Sequence, residues 1–458
     1  MSVAALDIGK TNLKVVLFDD DGAILAERSQ PNAPLPPDAQ WPYPRMDLET
    51  IWSFVLAALA ELNAVAPIAA ISISTHGASG VLIDENGPSP PPMDYEFAEF
   101  GEIDAEYDAL RPPFEETLIP RAPRGLNVGR SVYFYERRYP ELFARARAFL
   151  LYPQFWFWKL TGELASEVTS LACHGDLWRP REAALSSLVI GRGWTKLFPA
   201  RRNAWDASPI LPEVAARAGL ALQVRVHCGA HDSNLSLVPH IVSRMDPFSV
   251  VSTGTWVILM AVGGSSALDP GWDMLANVDV LGRPTPTARF MGGREFSVLA
   301  GAPAPISAAD IAAVVASGTL ALPAFADAGG PFWDRQGRIE GPEPATPEGR
   351  TALATLYVAL MTKLMLDKLQ APGDWIVEGG FAKTPAFAAV LAALAPERQV
   401  LLAASAGAAE GAARLAHWHG PQRHSESRHA ATWKIAGLAD YAARWRSAVG
   451  APTISSQA

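Results

Sequence analysis

Two stretches half a chain apart follow one plan: an apolar strand, a Gly/Thr turn and a second apolar strand. The first runs Ala4-Ala5-Leu6-Asp7-Ile8, turns through Gly9-Lys10-Thr11-Asn12 and returns as Leu13 to Phe18. The second is Val250-Val251, the turn Ser252-Thr253-Gly254-Thr255, and Trp256-Val257-Ile258-Leu259. Hairpins of this kind can face backbone N–H groups and hydroxyls towards a phosphate. Their recurrence is what a duplicated fold with one such hairpin per half needs. The 458 residues are too many for one ordinary core, so two domains of roughly 200 residues or more are expected.

Just before the second hairpin stands Gly229-Ala230-His231-Asp232-Ser233-Asn234. Asp232 follows the small-residue strand exit Cys228-Gly229-Ala230, where a turn leaves the side chain free to project into a crevice. That placement suits a catalytic carboxylate. The plainer reading is a turn-forming or helix-capping Asp. Asp7, where the first strand meets its turn, is either a metal-binding carboxylate or a buried Asp satisfying turn amides. Lys10 is either a phosphate ligand or a solvated surface lysine.

Composition excludes several classes of function. Lys and Arg number 38 against 47 Asp and Glu, a net charge of −9, which argues against broad nucleic-acid or anionic-membrane binding. Cys173 and Cys228 are too few for a disulfide framework and lack CxxC spacing for zinc, so a reducing, cytoplasmic setting is expected. Asp7 and Lys10 interrupt any leader-like pattern, and no uninterrupted apolar run approaches the roughly 20 residues of a membrane span.

Along the chain, Asp20-Asp21-Gly22 marks a turn into a third strand over Ile24 to Glu27. Asp47 caps a helix with Ile51, Phe54, Val55, Ala58, Leu59 and Leu62 on one face. Ile68 to Ser74 reads as a buried strand that delivers His76 and Gly77 to its carboxyl end, the edge where open α/β sheets bind ligands. A hydrogen-bonded core histidine is the equally weighted alternative for His76. Residues 97–165 read as largely helical, with the aromatic run Tyr152 to Trp158 as core packing. Cys173, His174 and Asp176 lie close together but make a poor metal set.

In the second half, Thr346-Pro347-Glu348 opens a long helix ending at Ala371-Pro372-Gly373. The strand Trp375-Ile376-Val377 then opens into Glu378-Gly379-Gly380-Phe381, and a helix starts at Thr384-Pro385. A strand, a double glycine and a helix let a flat ligand approach the backbone. A strand from Val400 and a small-residue helix from about Ala406 follow.

These motifs, in this order, resemble the FGGY carbohydrate kinases of the actin, hexokinase and heat-shock-chaperone superfamily. The matching stretches are LDIGKTNLKVVLFD, ISISTHGASGVLID, YPQFWFWKLTGELASEVTS, GAHDSN, STGTW and VEGGFAKTPAF. HDSN with STGTW and ARFMGG looks most like the rhamnulose and fuculose kinase branch. GKTN departs from the commoner GASS or GTQS turn, and the helix after EGGF lacks the Gln and Ala-Asp pair of many relatives.

The resemblance implies an α/β fold of two ribonuclease-H-like, actin/hexokinase-type domains, residues 1–237 and 238–458, with an interdomain active-site cleft. It implies ATP-dependent phosphorylation of a small sugar, with ATP and Mg²⁺ as cofactors. Asp232 would be the general base and Asp7 the Mg²⁺ ligand. Lys10, Thr11, Thr253, Gly254 and Thr255 would hold the phosphates, and Gly379 and Gly380 would receive adenine. Asn12, His76, Gly77, Tyr95, His231 and Arg294 would surround the sugar, with Asp232 at its reacting hydroxyl. The sugar expected is a ketose, L-rhamnulose or L-fuculose first and L-xylulose or another ketose behind. Kinase activity on an aldose or polyol is a second hypothesis. A non-catalytic sugar sensor or transport regulator is a third, against which the retained Asp7, Asp232 and both hairpins speak. No nucleic-acid or membrane partner is implied, and a homodimer is the assembly to test.

Overall fold

The computed structural model describes all residues except 245, 246, 266, 328, 404–406, 422–426 and 453–458. It divides into two compact units, Met1–Ser243 with Asn277–Pro284 and Ala406–His424, and Arg244–Ala276 with Thr285–Ser405 and Ser425–Ala458.

The first unit is built on the strands β1 (Ser2–Ile8), β2 (Asn12–Phe18) and β3 (Ile24–Pro31), an antiparallel meander. Gly9 closes the first turn by donating its N–H to Asn12 O at 3.0 Å. A Cβ on Gly9 would lie 2.9 Å from that carbonyl, so the tight turn requires glycine. Helix α1 (Leu48–Val65) is capped by Asp47, whose carboxylate accepts from Thr50 N. By length and composition α1 could cross a membrane. Here its stripe of Ile51, Val55, Leu59 and Leu62 lies in the core with Leu6, Val15 and Ile71.

Strand β4 (Ile68–Thr75) runs parallel to β1, and their carboxyl ends coincide because Asp7 pairs with Ser74 and Ile8 with Thr75. Between residues 97 and 165 the sequence reading is corrected at Ala148–Leu151, which forms a strand antiparallel to Gly80–Asp84. A run of four apolar residues carries no period that separates strand from helix, and here pairing decides. The aromatic run becomes helix α2 (Tyr152–Thr161), nearly all buried. The short helix α3 (Val168–Ala172) follows.

Strands β5 (Ala207–Pro209) and β6 (Arg225–His227) complete the sheet edge in the order β5-β6-β4-β1-β2-β3, and β7 (Ala230–His231) also pairs with β4. Arg225 and Val226 pair with Ala70 and Ile71, but Ala230 and His231 pair with Ser74 and Thr75, so one extra residue bulges between them. Gly229 makes this bulge at φ 73°, with its Cβ position 2.3 Å from Ile73 O. Gln154 of α2 satisfies the bulge by donating to Cys228 O and Gly229 O at 3.3 and 3.2 Å. The one-turn helix α4 (Asp232–Leu235) starts directly after β7. The helix Ala408–Leu415 also packs in this unit; a Cβ on Gly411 would fall 1.8 Å from Leu235 O. Its expected start at Ala406 lies outside the described residues.

The second unit repeats the plan. Strands β8 (Phe248–Thr253) and β9 (Val257–Val262) form the second hairpin, and β10 (Met274–Val278) and β11 (Pro284–Phe290) extend that side, although Asn277, Val278 and Pro284 at the ends of these strands count with the first unit. Helices α5 (Gly292–Ala300) and α6 (Pro347–Lys368) follow, with Thr346 capping α6. Strand β12 (Trp375–Gly379) runs parallel to β8, helix α7 (Pro385–Leu394) follows, and β13 (Val400–Ala403) and β14 (Ser427–His429) end the sheet. Its order is β10-β11-β9-β8-β12-β13-β14. In both sheets the first strand of the hairpin has its return strand on one side and a parallel strand on the other.

Candidate active site

In the first unit, β1, β4 and β7 deliver Asp7, His76 and His231 to one sheet edge because their carboxyl ends stand in register. Asp7 accepts from Ser74 Oγ at 3.2 Å. Burial, and after it the Asp232 carboxylate, push the Asp7 carboxyl up to about 6. Asp232, at the first position of α4, retains about a third of its side-chain exposure. Its Oδ1 accepts from Ser233 N at 2.6 Å and from Ser233 Oγ at 3.2 Å, and lies 3.1 Å from His231 Nε2. Among the described residues no donor reaches Oδ2.

Lys10 is ion-paired to Asp94, lies 3.7 Å from Glu96 and sits 5.2 Å from the Tyr95 ring centre. His76 packs edge-on to Tyr95 at 5.4 Å and against Tyr152 at 4.9 Å. Burial holds His76 below the usual imidazole range. Gly77 is constrained sterically, because a Cβ there would meet His231 Nε2 at 2.6 Å and Cys173 Sγ at 3.0 Å. Thr11 and Asn12 are exposed at the hairpin tip. Asp94, Tyr152, Cys173 and Asn234 enter this neighbourhood without having been singled out as site residues. Asn234 and Tyr152 stood in quoted motifs; Asp94 and Cys173 did not.

In the second unit Thr253 pairs with Gly379 across β8 and β12, so the hairpin turn and the double glycine are neighbours. Thr253 Oγ1 donates to Glu378 O and accepts from Phe381 N at 2.9 Å, which commits the hydroxyl to joining the two turns. Gly379 is at φ 81°, and a Cβ there would stand 2.1 Å from Thr253 O. Gly254, Thr255, Gly379 and Gly380 are exposed. Gly293, at the end of ARFMGG and given no role in the sequence reading, lets α5 touch the hairpin: its Cβ position is 2.0 Å from Gly254 O. Arg294 is exposed and donates its backbone N–H to Thr255 O at 3.3 Å. Sequence reasoning thus gathered Asp7, Lys10, His76, Gly77, Tyr95, His231 and Asp232 in one unit. Thr253, Gly254, Thr255, Gly379, Gly380 and Arg294 belong to the other.

Among the described residues no three His, Cys, Asp or Glu side chains gather as a metal-binding set. The donors fit Mg²⁺, which takes one or two carboxylates and completes its shell with substrate phosphates and water. Asp7, half-buried and raised by that burial and then by the Asp232 charge, is where a divalent cation would relieve repulsion.

Comparison with known proteins places these observations. Residues 2–90 match the N-terminal domain of the FGGY family of carbohydrate kinases, and residues 245–428 match the carbohydrate kinase FGGY C-terminal domain. A carbohydrate kinase from Novosphingobium aromaticivorans is 33% identical, with 98% of this chain and 100% of that one covered and a TM-score of 0.90. A xylulose kinase from Rhodospirillum rubrum, 19% identical with 98% of each chain covered, shares the fold at a TM-score of 0.79. The L-fuculokinase of Escherichia coli strain K12 is 24% identical over 268 residues, which span 56% of this chain and 56% of that protein. With both domains matched and a 33% identical structure aligned along its whole length, the chain belongs to the FGGY family of carbohydrate kinases.

Proposed function

We propose that the chain transfers the terminal phosphoryl group of ATP to a hydroxyl of a small sugar, a ketose such as L-rhamnulose or L-fuculose. The observation that carries this reading is Asp232, held through Oδ1 while Oδ2 meets no donor among the described residues. A carboxylate anchored by one oxygen can take a proton on the other. Phosphoryl transfer needs little covalent work from a protein, so placement and charge stabilisation supply most of the rate. Asp232 accepts the proton of the sugar hydroxyl as that oxygen attacks phosphorus, and ADP leaves in line.

Asp7 would hold Mg²⁺, which would supply neutralisation of the charge on the transferring group. Lys10 and Thr11, with Gly254, Thr255 and the Thr253 backbone, hold the β- and γ-phosphates; Lys10 exchanges Asp94 for phosphate to do so. Gly379 and Gly380 present bare backbone to adenine. His76, Gly77, Tyr95 and Asn12 face the sugar, and Arg294 is assigned to it as well. The likeness to L-fuculokinases over 56% of the chain supports the choice of a ketose.

A panel of ketoses, aldoses and polyols in a coupled ADP-release assay tests the reading. ADP formation with a 6-deoxy ketose is expected, and its absence with every sugar would sink the proposal. Asp232→Asn should lower kcat by at least about 100-fold while ATP still binds.

A further inference from the structure

The base is held by a histidine with two occupied ring nitrogens. His231 is buried, and its backbone N–H donates to Thr169 Oγ1 at 3.1 Å. Its Nδ1 lies 2.6 Å from Asn234 Oδ1. The orientation of that amide is decided by its other end, because Asn234 Nδ2 faces the carbonyl of Val278, which can only accept. The Asn234 oxygen therefore faces His231, and Nδ1 must carry a proton. The opposite nitrogen, Nε2, has the Asp232 carboxylate oxygen at 3.1 Å and Cys173 Sγ at 3.5 Å. The negative charge of the Asp232 carboxylate 3.1 Å away favours a proton on Nε2 as well, with Cys173 Sγ then in the accepting role.

We propose that His231 is carried as an imidazolium and serves as the positioning residue for Asp232. Its charge holds Oδ1 and leaves Oδ2 to the reacting hydroxyl, while Asn234 Oδ1 accepts the Nδ1 proton and Cys173 Sγ stands 3.5 Å from Nε2. The inference rests on the reading of Asp232 as the base.

The remaining surroundings agree. The titratable groups facing the ring are Cys173 and His174 after α3, Asp232 on its own helix, His76 beyond Gly77, and Glu167 through Thr169, whose hydroxyl donates to Glu167 Oε2 at 2.6 Å. Burial opposes the charge on His231, but Cys173, Asp232 and Asn234 outweigh it and hold the ring well above the usual imidazole range. Burial likewise raises the Cys173 thiol, and His174 and His231 outweigh it in the other direction. Burial holds His76 below the usual imidazole range, against the raising effect of the Gly77 carbonyl. This assigns His231 a role other than the sugar contact expected from its place in the motif.

The test is histidine ¹⁵N NMR on the full chain, with His231 assigned by its loss in His231→Gln. Both ring nitrogens should stay protonated from about pH 6 to about pH 8, where an ordinary imidazole has lost its charge. One unprotonated nitrogen at neutral pH would overturn the inference even for a variant set that folds poorly. In kinetics, His231→Gln should lower kcat about 10- to 100-fold with the sugar KM changed less than about threefold. A raised KM with unchanged kcat would make His231 a sugar ligand and also overturn it. Asn234→Leu should move the alkaline limb of the kcat profile to lower pH, and Asn234→Asp should restore it; an unmoved limb in Asn234→Leu counts against the inference. Failure of the kinase reading is separately visible, as near-normal turnover in Asp232→Asn.

Discussion

Glu167 caps α3 with one carboxylate oxygen, which accepts from Ser170 N at 3.2 Å and Thr169 Oγ1 at 2.6 Å, while its other oxygen is buried with no partner among the described residues. Burial pushes this carboxyl up to about 7, against the lowering effect of those hydrogen bonds. A carboxyl raised on folding stabilises the protonated fold below its unfolded value near 4.5 and loses that contribution as pH rises through about 7. Glu167→Gln cannot titrate. Between pH 5 and pH 8 the variant should therefore gain on the parent by up to roughly 3 kcal/mol, read from denaturant midpoints at each pH. A constant gap across that range would refute the assignment. Asp7 belongs to the same scale: Asp7→Asn should blunt the Mg²⁺ dependence of turnover, and an identical metal titration in variant and parent would remove Asp7 from the metal site.

At the scale of elements, the bulge between β6 and β7 decides where the base stands. Without its extra residue every side chain beyond it would change faces of the sheet, because strand residues alternate. Gly229→Ala must take φ 73° with a Cβ against Ile73 O, so a loss of at least about 2 kcal/mol in unfolding free energy is expected, with sugar phosphorylation falling alongside it. Gln154→Leu strips the buried Cys228 and Gly229 carbonyls of their donor, which should cost about 1–3 kcal/mol in the same measurement. The Gly in Cys228-Gly229-Ala230 was legible as a turn. Its function as a bulge was not, since the demand for glycine comes from Ile73, more than a hundred residues earlier. The strand Ala148–Leu151 was missed for a related reason: its apolar run has no period, and its partner Gly80–Asp84 is remote in sequence.

For the whole molecule, the two sheets repeat one arrangement, a hairpin whose first strand also pairs with a parallel strand. The late segment around the helix Ala408–Leu415 nonetheless belongs with the first unit, where Trp418 stacks on Trp205 at 4.1 Å with an interplanar angle of 4°. Trp418→Ala should destabilise the chain by about 1–3 kcal/mol, seen as a lower thermal unfolding midpoint. Saturation with ATP and Mg²⁺ to about 100 times Kd should add roughly 2.7 kcal/mol to the stability of the nucleotide-binding form, including in Asp232→Asn.

What the sequence determined by itself were the features written within a few residues: both hairpins, the Asp47 and Thr346 caps, the double glycine after β12, and the order of motifs that marks the family. Each depends on neighbours in the chain, where glycine freedom, capping and alternation act directly. The tertiary structure alone decided the pairing of Lys10 with Asp94, the use of the Thr253 hydroxyl to tie two turns, and the enclosure of His231 by Cys173 and Asn234. Those side chains acquire partners only when segments far apart in the chain are brought within hydrogen-bond range, and local spacing carries no record of which partner that will be.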